Sequence, residues 1–366
     1  MNNFDIGGIQ RLALDQLYIC SDLNIYAEAH YRSDYETSST KNFITLENKR
    51  ILQKKILIYK MPNKYVKQIF YLMQVLRKTN FSLIINHDVA AGLQIKIALV
   101  LTRKVVPTYV FIHQLPSLAP NLQRWKRFIY ALCADEIYCY SIAVLKDWNS
   151  RLNENYLLKL ISKHKRPNLQ RNGVYLNRLP KAPLGKKLYS APRLIFIGRN
   201  VPWKNLTLFI NLARTLKEFN VNILIIVPDL NSELETKLKK EFGKRINFEI
   251  GKKLEDISFY RNDIHIYPVN YGPDAKFIES VSINCLEMAC LGIPSLVTQG
   301  GLNTWPELTA TSLFYQLDWS DLTTYRSIVK DITRQGIKKK EISHTRKVIS
   351  IENNIMTLLS KKYPKN

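Results

Sequence analysis

The chain has 366 residues, 46% of them hydrophobic, and this length is long for one domain, so it predicts two domains, each with its own core. The formal net charge of +24 predicts attraction to anionic partners, which include nucleic acid, anionic lipid and phosphorylated substrates. The five cysteines (Cys20, Cys133, Cys139, Cys285 and Cys290) form no Cys-x-x-Cys pair and have no histidine cluster nearby, which excludes the common zinc-site patterns and favours reduced thiols.

The sequence shows no targeting or membrane-spanning segment. No stretch near the N-terminus combines positive charge with an apolar core, so no signal peptide is predicted. The longest apolar runs, Ile95–Leu101 and Val105–Ile112, are separated by Arg103 and Lys104, so no spanning helix is predicted. We therefore expect a cytoplasmic protein.

In the first half of the chain, short apolar runs alternate with helical patterns, as in parallel sheets covered by helices on both faces. The predicted strands are Lys55–Tyr59, Phe81–Asn86, Val105–Ile112 and Glu136–Tyr140. The predicted helices lie near Lys64–Lys78, Ala90–Leu101 and Leu122–Ala134.

A basic stretch from Lys49 to Lys78 contains no acidic residue and mixes its cations with apolar side chains such as Phe70. This pattern suits an anionic membrane surface, where each nearby lysine or arginine contributes about 1 kcal/mol. The alternative is a solvated helix face whose apolar side packs on the core of the first domain.

A basic, proline-punctuated stretch from Lys163 to Pro192 has no sustained periodicity and predicts a linker. After it the alternation restarts, and a last helical pattern covers Lys340–Lys361, which could pack on either domain. The second half opens with the strand Leu194–Ile197, the helix Leu206–Phe219 and the strand Ile223–Val227. The alternation continues through Glu233–Phe242, Ile246–Ile250, Ile264–Tyr267, Ile283–Leu291 and Ser295–Val297.

The loop that follows the first strand of the second half carries two cations, Arg199 and Lys204. It lies between a buried strand and a helix, and ligands of open α/β sheets bind at that edge of the sheet. One arginine and one lysine there can neutralise a diphosphate. The alternative is a solvated loop anchored by Trp203.

Two glutamates, Glu279 and Glu287, flank the start of a short predicted helix. Ser282 is a good N-cap for this helix, and Gly292 followed by Pro294 is a good stop. The unpaired amides at its N-terminus favour a phosphate, and Glu287 can bind ribose hydroxyls through charge-assisted hydrogen bonds. By spacing alone, the two residues would be an ordinary exposed pair.

Together these segments resemble the paired donor-site motifs of glycosyltransferase family 4. Further segments agree with that family in the expected order, so the resemblance spans nearly the whole chain. They are the glycine loop Gly7–Arg11, the histidine of Ile112-His113, the turn Asn172–Val174 and the late glycine loop Gly300–Leu302.

The resemblance implies a fold of the α/β class, the GT-B type, with two Rossmann-like doubly wound domains that face each other across a cleft. The implied domains are an acceptor-side domain over residues 1–178, a linker over 179–192, a donor-binding domain over 193–339 and a C-terminal helix over 340–366, which could pack back on the first domain.

The resemblance also implies the roles of the site residues. His113 would hydrogen-bond the sugar, Glu279 would contact it, Arg199 and Lys204 would hold the diphosphate, and Glu287 would bind the ribose. The remaining donor-binding residues implied are Gly7, Gly8, Ser280, Val281, Ser282 and Ile283. No cofactor and no metal are implied, because the chain lacks an Asp-x-Asp motif and the family retains anomeric configuration without a protein nucleophile.

Three departures from the family pattern bear on the donor. Only six residues precede Gly7, so the family's first strand either lies upstream or is absent. Ser280 and Ser282 stand where the family often has glycines, which narrows the space for a phosphate. The segment Val227–Asp229 also lacks the glycines common near the donor base.

We therefore predict a retaining glycosyltransferase that moves a sugar from a nucleotide diphosphate donor to a growing, lipid-linked cell-surface glycan of the lipopolysaccharide, O-antigen or capsule type. The predicted partners are the donor, a glycan or glycolipid acceptor and the anionic inner face of the cell membrane, with no specific nucleic acid. The alternatives are a nucleotide-sugar epimerase of the same fold and a non-catalytic polyanion-binding protein. No Gly-x-Gly-x-x-Gly or Walker loop supports a dinucleotide oxidoreductase or a P-loop enzyme.

Overall fold

The computed structural model describes residues 8–32, 51, 53–87, 89–113, 128–129, 131–153, 167–180, 191–269, 281–303, 305–335, 337–352 and 355–356. The chain forms two compact units. The first unit comprises Met1–Asn172 with Asn354–Asn366, and the second comprises Gly173–Asn353.

The first unit contains two parallel sheets. β1 pairs with β2, and a separate sheet has the order β3-β4-β5-β6. The strands are β1 Glu28–Arg32, β2 Leu57–Met61, β3 Ile84–Asn86, β4 Thr108–Ile112, β5 Glu136–Cys139 and β6 Asn168–Leu169. The helices are α1 Gly8–Asp22, α2 Tyr65–Lys78, α3 Gly92–Thr102 and α4 Ile142–Asn153.

The predicted elements that the structure describes have shorter or shifted bounds, since β2 runs to Met61 and α3 to Thr102, and the strands β1 and β6 and the helices α1 and α4 were not predicted. Val105 is 99% exposed and stands outside β4, which begins at Thr108. The predicted loop at Gly7–Arg11 is the start of helix α1, which begins at Gly8, whereas Gly7 lies outside the described residues. The predicted helix Leu122–Ala134 also lies largely outside them.

The second unit is built on one parallel sheet of six strands in the order β12-β11-β10-β7-β8-β9. The strands are β7 Arg193–Ile197, β8 Asn222–Val227, β9 Ile246–Ile250, β10 Asp263–Ile266, β11 Ser295–Val297 and β12 Phe314–Gln316. The helices are α5 Leu206–Thr215, α6 Ser232–Phe242, α7 Ile283–Cys290, α8 Gln299–Asn303, α9 Leu322–Gln335 and α10 Lys339–Ile349.

The chain order reverses at β7, since the strands that follow it run first to one edge of the sheet and then, from β10, to the other. This is a doubly wound arrangement with its switch point between β7 and β10. All five residues of β7 are buried, and they alternate between two cores. Leu194 and Phe196 pack with α5 on one face, whereas Ile195 and Ile197 pack with Met288 of α7 on the other.

Residues 173–178, which the sequence assigned to the first domain, lie in the second unit. Val174 donates from its N to Ile349 O at 3.0 Å and accepts at its O from Ile351 N at 3.2 Å. A Cβ at Gly173 would stand 2.6 Å from Ile351 Cα, so only glycine fits this close approach. This boundary is set by the pairing of Val174 with Ile349 and Ile351, which are far from it in the sequence, so no local sequence pattern indicates it.

The C-terminal helix is shorter than predicted, and of the two domains on which it could pack it contacts the second. α10 ends at Ile349, and it packs on α7 within the second unit, where Arg346 Nε donates to Cys290 O at 2.7 Å. Gly292 has φ 79° after α7, and a Cβ there would lie 2.4 Å from Ile342 Cδ1. The sequence-derived stop at Gly292 therefore also makes room for α10.

Candidate functional site

The carboxyl ends of β7 and β10 meet at the switch point of the second sheet, where the order of strands leaves a crevice for ligands. After β7 the chain passes through a loop and a short helical turn, Pro202–Lys204. Asn205, at φ 54°, then caps α5 by accepting a hydrogen bond from Leu208 N at 3.2 Å. This local geometry fixes where Lys204 lies.

Lys204 connects the two strand ends. Its Nζ donates to Tyr267 Oη at 3.3 Å and stands 5.0 Å from the centroid of the Tyr267 ring. Tyr267 directly follows β10 and is buried. The lysine is thus held by a hydrogen bond and by a cation–π contact, at the edge where the sequence predicted it.

His265 lies two residues before Tyr267, inside β10. Its Nδ1 is 3.0 Å from Ser295 Oγ of the neighbouring strand β11. Burial lowers the pKa of His265 to about 3, and the charge of Lys204 contributes in the same direction. The ring is therefore neutral at physiological pH and adds no positive charge beside the lysine.

Arg199 lies on the same loop as Lys204 and is exposed. Two backbone hydrogen bonds make the loop between Arg199 and Lys204 compact. Val201 N donates to Arg199 O at 2.9 Å, and Lys204 N donates to Val201 O at 2.9 Å. An exposed guanidinium on this edge can reach an anion in the crevice.

Helix α7 begins at the same place. Ser282 caps it by accepting from Cys285 N at 3.3 Å, and Asn284 Nδ2 donates to Ile197 O, the last residue of β7, at 3.2 Å. The partly positive N-terminus of α7 therefore lies beside the loop that carries Lys204. Val281 and Ile283, on either side of the cap, are buried in the core.

Glu287 is fully buried, at 0% exposure, and its Oε1 accepts from Arg178 Nη2 at 2.6 Å. Arg178 is 5% exposed and ends a short helical turn, Leu176–Arg178. Glu287 is predicted from the sequence as a ribose ligand, whereas Arg178, the last residue of the predicted first domain, was not identified as its partner. The structure thus gives Glu287 a protein partner.

For four predicted site residues, the described part of the structure gives no contact at this edge of the sheet. Gly7, Glu279 and Ser280 lie outside the described residues. Gly8 is the first residue of α1 in the first unit. The structure therefore places the loop of Arg199 and Lys204 and the cap of α7 at the same edge of the second sheet, while the position of Glu279 stays a prediction.

His113 follows β4 in the first unit, where three aromatic rings surround it. Its Nε2 is 3.0 Å from His87 Nδ1, so the two imidazoles meet edge to edge with their centroids 5.3 Å apart, and its ring lies 5.6 Å from Tyr140 and 6.4 Å from Phe111 between centroids. Burial lowers the pKa of His113 to about 4, so the ring is neutral at physiological pH. The sequence analysis did not identify His87 as its neighbour.

Among the described residues, no three His, Cys, Asp or Glu side chains are grouped so that they could hold a metal ion. In the same part of the chain, no helix has the length and apolar character needed to cross a membrane.

No protein-family model matches this chain, and no curated protein matches it by sequence. Its fold matches those of solved structures. The Anabaena protein HepE, solved with UDP and glucose, is 12% identical with a TM-score of 0.67 and covers 100% of this chain and 98% of its own. A Rickettsia africae glycosyltransferase is 12% identical with a TM-score of 0.71, covering 99% and 96%. The lipopolysaccharide outer core galactosyltransferase WaaB is 12% identical with a TM-score of 0.64, covering 100% and 98%.

These similarities confirm the predicted fold class, because the chain has the GT-B fold of solved glycosyltransferases along nearly its whole length. At such low identity the likeness concerns the fold. Membership of family 4 stays a prediction.

Proposed function

We propose that this protein is a glycosyltransferase that uses a nucleotide diphosphate-sugar as donor. The observation that carries the proposal is that Lys204 and the capped N-terminus of α7 both lie at the carboxyl ends of β7 and β10, at the switch point of the second sheet. A cation, a helix N-terminus and an exposed Arg199 form a site for a diphosphate. HepE structures with UDP and with UDP-glucose support a uridine donor as the first candidate.

In the proposed reaction, the bond between the anomeric carbon and the diphosphate oxygen breaks, and the nucleotide diphosphate leaves. The acceptor oxygen bonds to the anomeric carbon from the same face, and its proton passes to the departing diphosphate oxygen. Lys204 and Arg199 stabilise the charge that develops on the leaving group. This course retains the anomeric configuration and requires neither a metal nor a protein nucleophile.

Glu279 is proposed to contact the donor sugar, and His113 to accept a hydrogen bond from it. Two roles are proposed for Glu287. The resemblance implies that it binds the ribose, while its burial against Arg178 supports a role in holding α7 to the segment 173–178. A double variant described in the Discussion separates the two.

The acceptor is proposed to be a lipid-linked cell-surface glycan, with synthesis at the cytoplasmic face of the membrane. The presence of a lipopolysaccharide galactosyltransferase among the fold neighbours supports this acceptor class. The charge of +24 supports an anionic surface.

The proposal is tested by offering the protein UDP-, GDP- and ADP-sugars with and without a lipid-linked glycan acceptor, and by measuring nucleotide diphosphate release. We expect release with one base and acceleration by acceptor. An epimerase of the same fold would convert the donor without any acceptor. A polyanion-binding protein would release nothing and would bind nucleic acid with a steep salt dependence. Either of these outcomes would contradict the transferase.

Membrane association is proposed to use the outer face of α2. Val66 and Phe70, one turn apart, are 61% and 59% exposed, and Lys67, Arg77 and Lys78 are exposed on the same helix, which has no acidic residue. Apolar side chains flanked by cations suit the interface of an anionic bilayer.

Replacing Val66 and Phe70 with serine is therefore expected to weaken sedimentation with phosphatidylglycerol-rich vesicles by about tenfold, since the two side chains lose their apolar contact with lipid. The matched control replaces Leu322 and Val348, two exposed apolar residues of the second unit, and should leave sedimentation unchanged. Equal binding of the natural chain to neutral phosphatidylcholine vesicles would refute the anionic-surface proposal.

A further inference from the structure

Three residues from three elements of the first unit form a chain of hydrogen bonds that ends at His113. Gln16 is in α1, His87 follows β3, and His113 follows β4. Gln16 Oε1 is 2.8 Å from His87 Nε2, and His87 Nδ1 is 3.0 Å from His113 Nε2. Because β3 and β4 pair in parallel, with Asn86 opposite Val110, the two histidines emerge at the same edge of the sheet.

The side-chain amide of Gln16 sets the direction of the hydrogen bonds in this series. An amide oxygen only accepts, so His87 must carry its proton on Nε2. In a neutral imidazole the other nitrogen then has a lone pair, so His87 Nδ1 accepts and His113 Nε2 must donate. Burial lowers the pKa of both histidines, that of His87 well below its ordinary value, which keeps both rings neutral.

The rings are also held against rotation. The His87 ring stacks on Phe111, at 5.1 Å and 26° between planes, and its edge meets His113 through the hydrogen bond between their nitrogens. Tyr140 covers His113 at 5.6 Å and 26°. Rotation of either ring about its Cβ–Cγ bond would put a carbon in the place of the hydrogen-bonding nitrogen and would break these contacts.

We propose that Gln16 and His87 are positioning residues that fix His113 as the tautomer protonated on Nε2, which leaves Nδ1 as a hydrogen-bond acceptor for a hydroxyl group of the substrate. The inference rests on the proposed function only in naming a sugar hydroxyl as that donor. Among the described residues, the hydrogen bond of the His113 ring is made through Nε2, which makes Nδ1 the nitrogen that the proposal assigns to the substrate. An acceptor of this kind favours a sugar that carries a free hydroxyl at the contacted position.

The tautomer is measurable without any substrate. The protein is labelled with nitrogen-15 in its six histidines, and long-range proton–nitrogen spectra distinguish a protonated ring nitrogen from a bare one. Comparison with the His113→Asn spectrum assigns the His113 signals. We expect a proton on Nε2 and a bare Nδ1, and a proton on Nδ1 of neutral His113 would overturn the inference.

A substitution at Gln16 tests whether this residue sets the direction. Gln16→Glu places a carboxylate 2.8 Å from His87, which favours the doubly protonated ring. Both nitrogens of His87 then donate, so His113 Nε2 must accept and its proton must move to Nδ1. Gln16→Leu, which removes the acceptor, should give a mixture of the two tautomers. Unchanged His113 signals in both variants would contradict the positioning role, and thermal unfolding confirms that each variant is folded.

Activity gives the second readout. If donors are turned over, Gln16→Glu should lower kcat/KM by about ten- to a hundredfold, because the substrate hydroxyl meets a donor instead of an acceptor. Should the protein transfer no sugar while His113 shows the expected tautomer, the proposed function fails and the tautomer inference stands. Should it transfer sugar with His113 protonated on Nδ1, the tautomer inference fails and the proposed function stands.

Discussion

Replacing Glu287 with alanine is expected to lower the free energy of unfolding by about 3–5 kcal/mol, because it leaves the guanidinium of Arg178 buried without its carboxylate. The two side chains are 0% and 4% exposed, so water cannot take the place of the missing group. Since whole domains are stable by only about 5–15 kcal/mol, the loss is a large fraction of the total. Urea unfolding of the natural and variant chains measures it.

This effect complicates any activity test at Glu287, because a variant that unfolds loses nucleotide binding whatever the residue does. The double variant Arg178→Met with Glu287→Leu removes both charges and keeps similar volumes. Buried ion pairs replaced in this way often keep their stability. We therefore expect the double variant to recover most of the stability that either alanine variant loses.

Nucleotide binding by the double variant then decides the role of Glu287. If the carboxylate binds ribose, the folded double variant should bind UDP at least tenfold more weakly than the natural chain, since a charge-assisted hydrogen bond contributes about 1.5–3 kcal/mol. UDP binding equal to that of the natural chain would leave Glu287 as a structural residue only.

The second unit supplies a matched control in another buried pair. Arg193 Nε and Nη2 donate to the two carboxylate oxygens of Asp263 at 2.8 and 2.6 Å. These residues begin β7 and β10, roughly 10–13 Å along the strands from the carboxyl ends that carry the candidate site. Asp263→Ala should therefore destabilise the protein as Glu287→Ala does, yet leave nucleotide affinity unchanged under conditions where it is folded.

The parts of the structure that the sequence predicted well are those that local pattern determines. The buried strands of the second half are continuous apolar runs, and Ser282 caps α7 where the sequence placed an N-cap. The loop with Lys204 follows from its position between a strand and a helix. Helix α1 was missed because Asp15 and Gln16 are polar and yet buried in it, which breaks the apolar pattern.

The contacts that define the candidate site join residues far apart in the chain, and no local pattern contains them. Arg178 and Glu287 are 109 residues apart, Lys204 and Tyr267 are 63 apart, and His87 and His113 are 26 apart. The sequence placed Glu287 one turn into a helix. Whether that side chain faces a ligand or an arginine depends on which segment packs beside α7, and residues 173–178 lie there through the pairing of Val174 with Ile349 and Ile351 and its packing with the core around α7.

Removing the charge of Lys204 is expected to lower kcat/KM for the donor by about a hundred- to a thousandfold, because the diphosphate leaving group loses a fixed cation in the transition state. Lys204→Met is the sharper variant, since methionine keeps the apolar part of a side chain that is already half-buried. Nucleotide diphosphate release measures the effect. Tyr267→Phe, which keeps the ring under the ammonium and removes only the hydroxyl at 3.3 Å, should cost about tenfold or less.

Lys239→Met separates a local effect from a change in the overall field of the protein. Lys239 is 58% exposed on α6 and pairs with Glu235, so the substitution removes the same charge without touching the switch-point edge. Its kcat/KM should stay within about twofold of the natural value. A loss equal to that of Lys204→Met would show that total charge, acting through attraction of the anionic donor, governs the rate. Full activity of Lys204→Met would remove the lysine from the site, and with it the contact on which the transferase proposal depends.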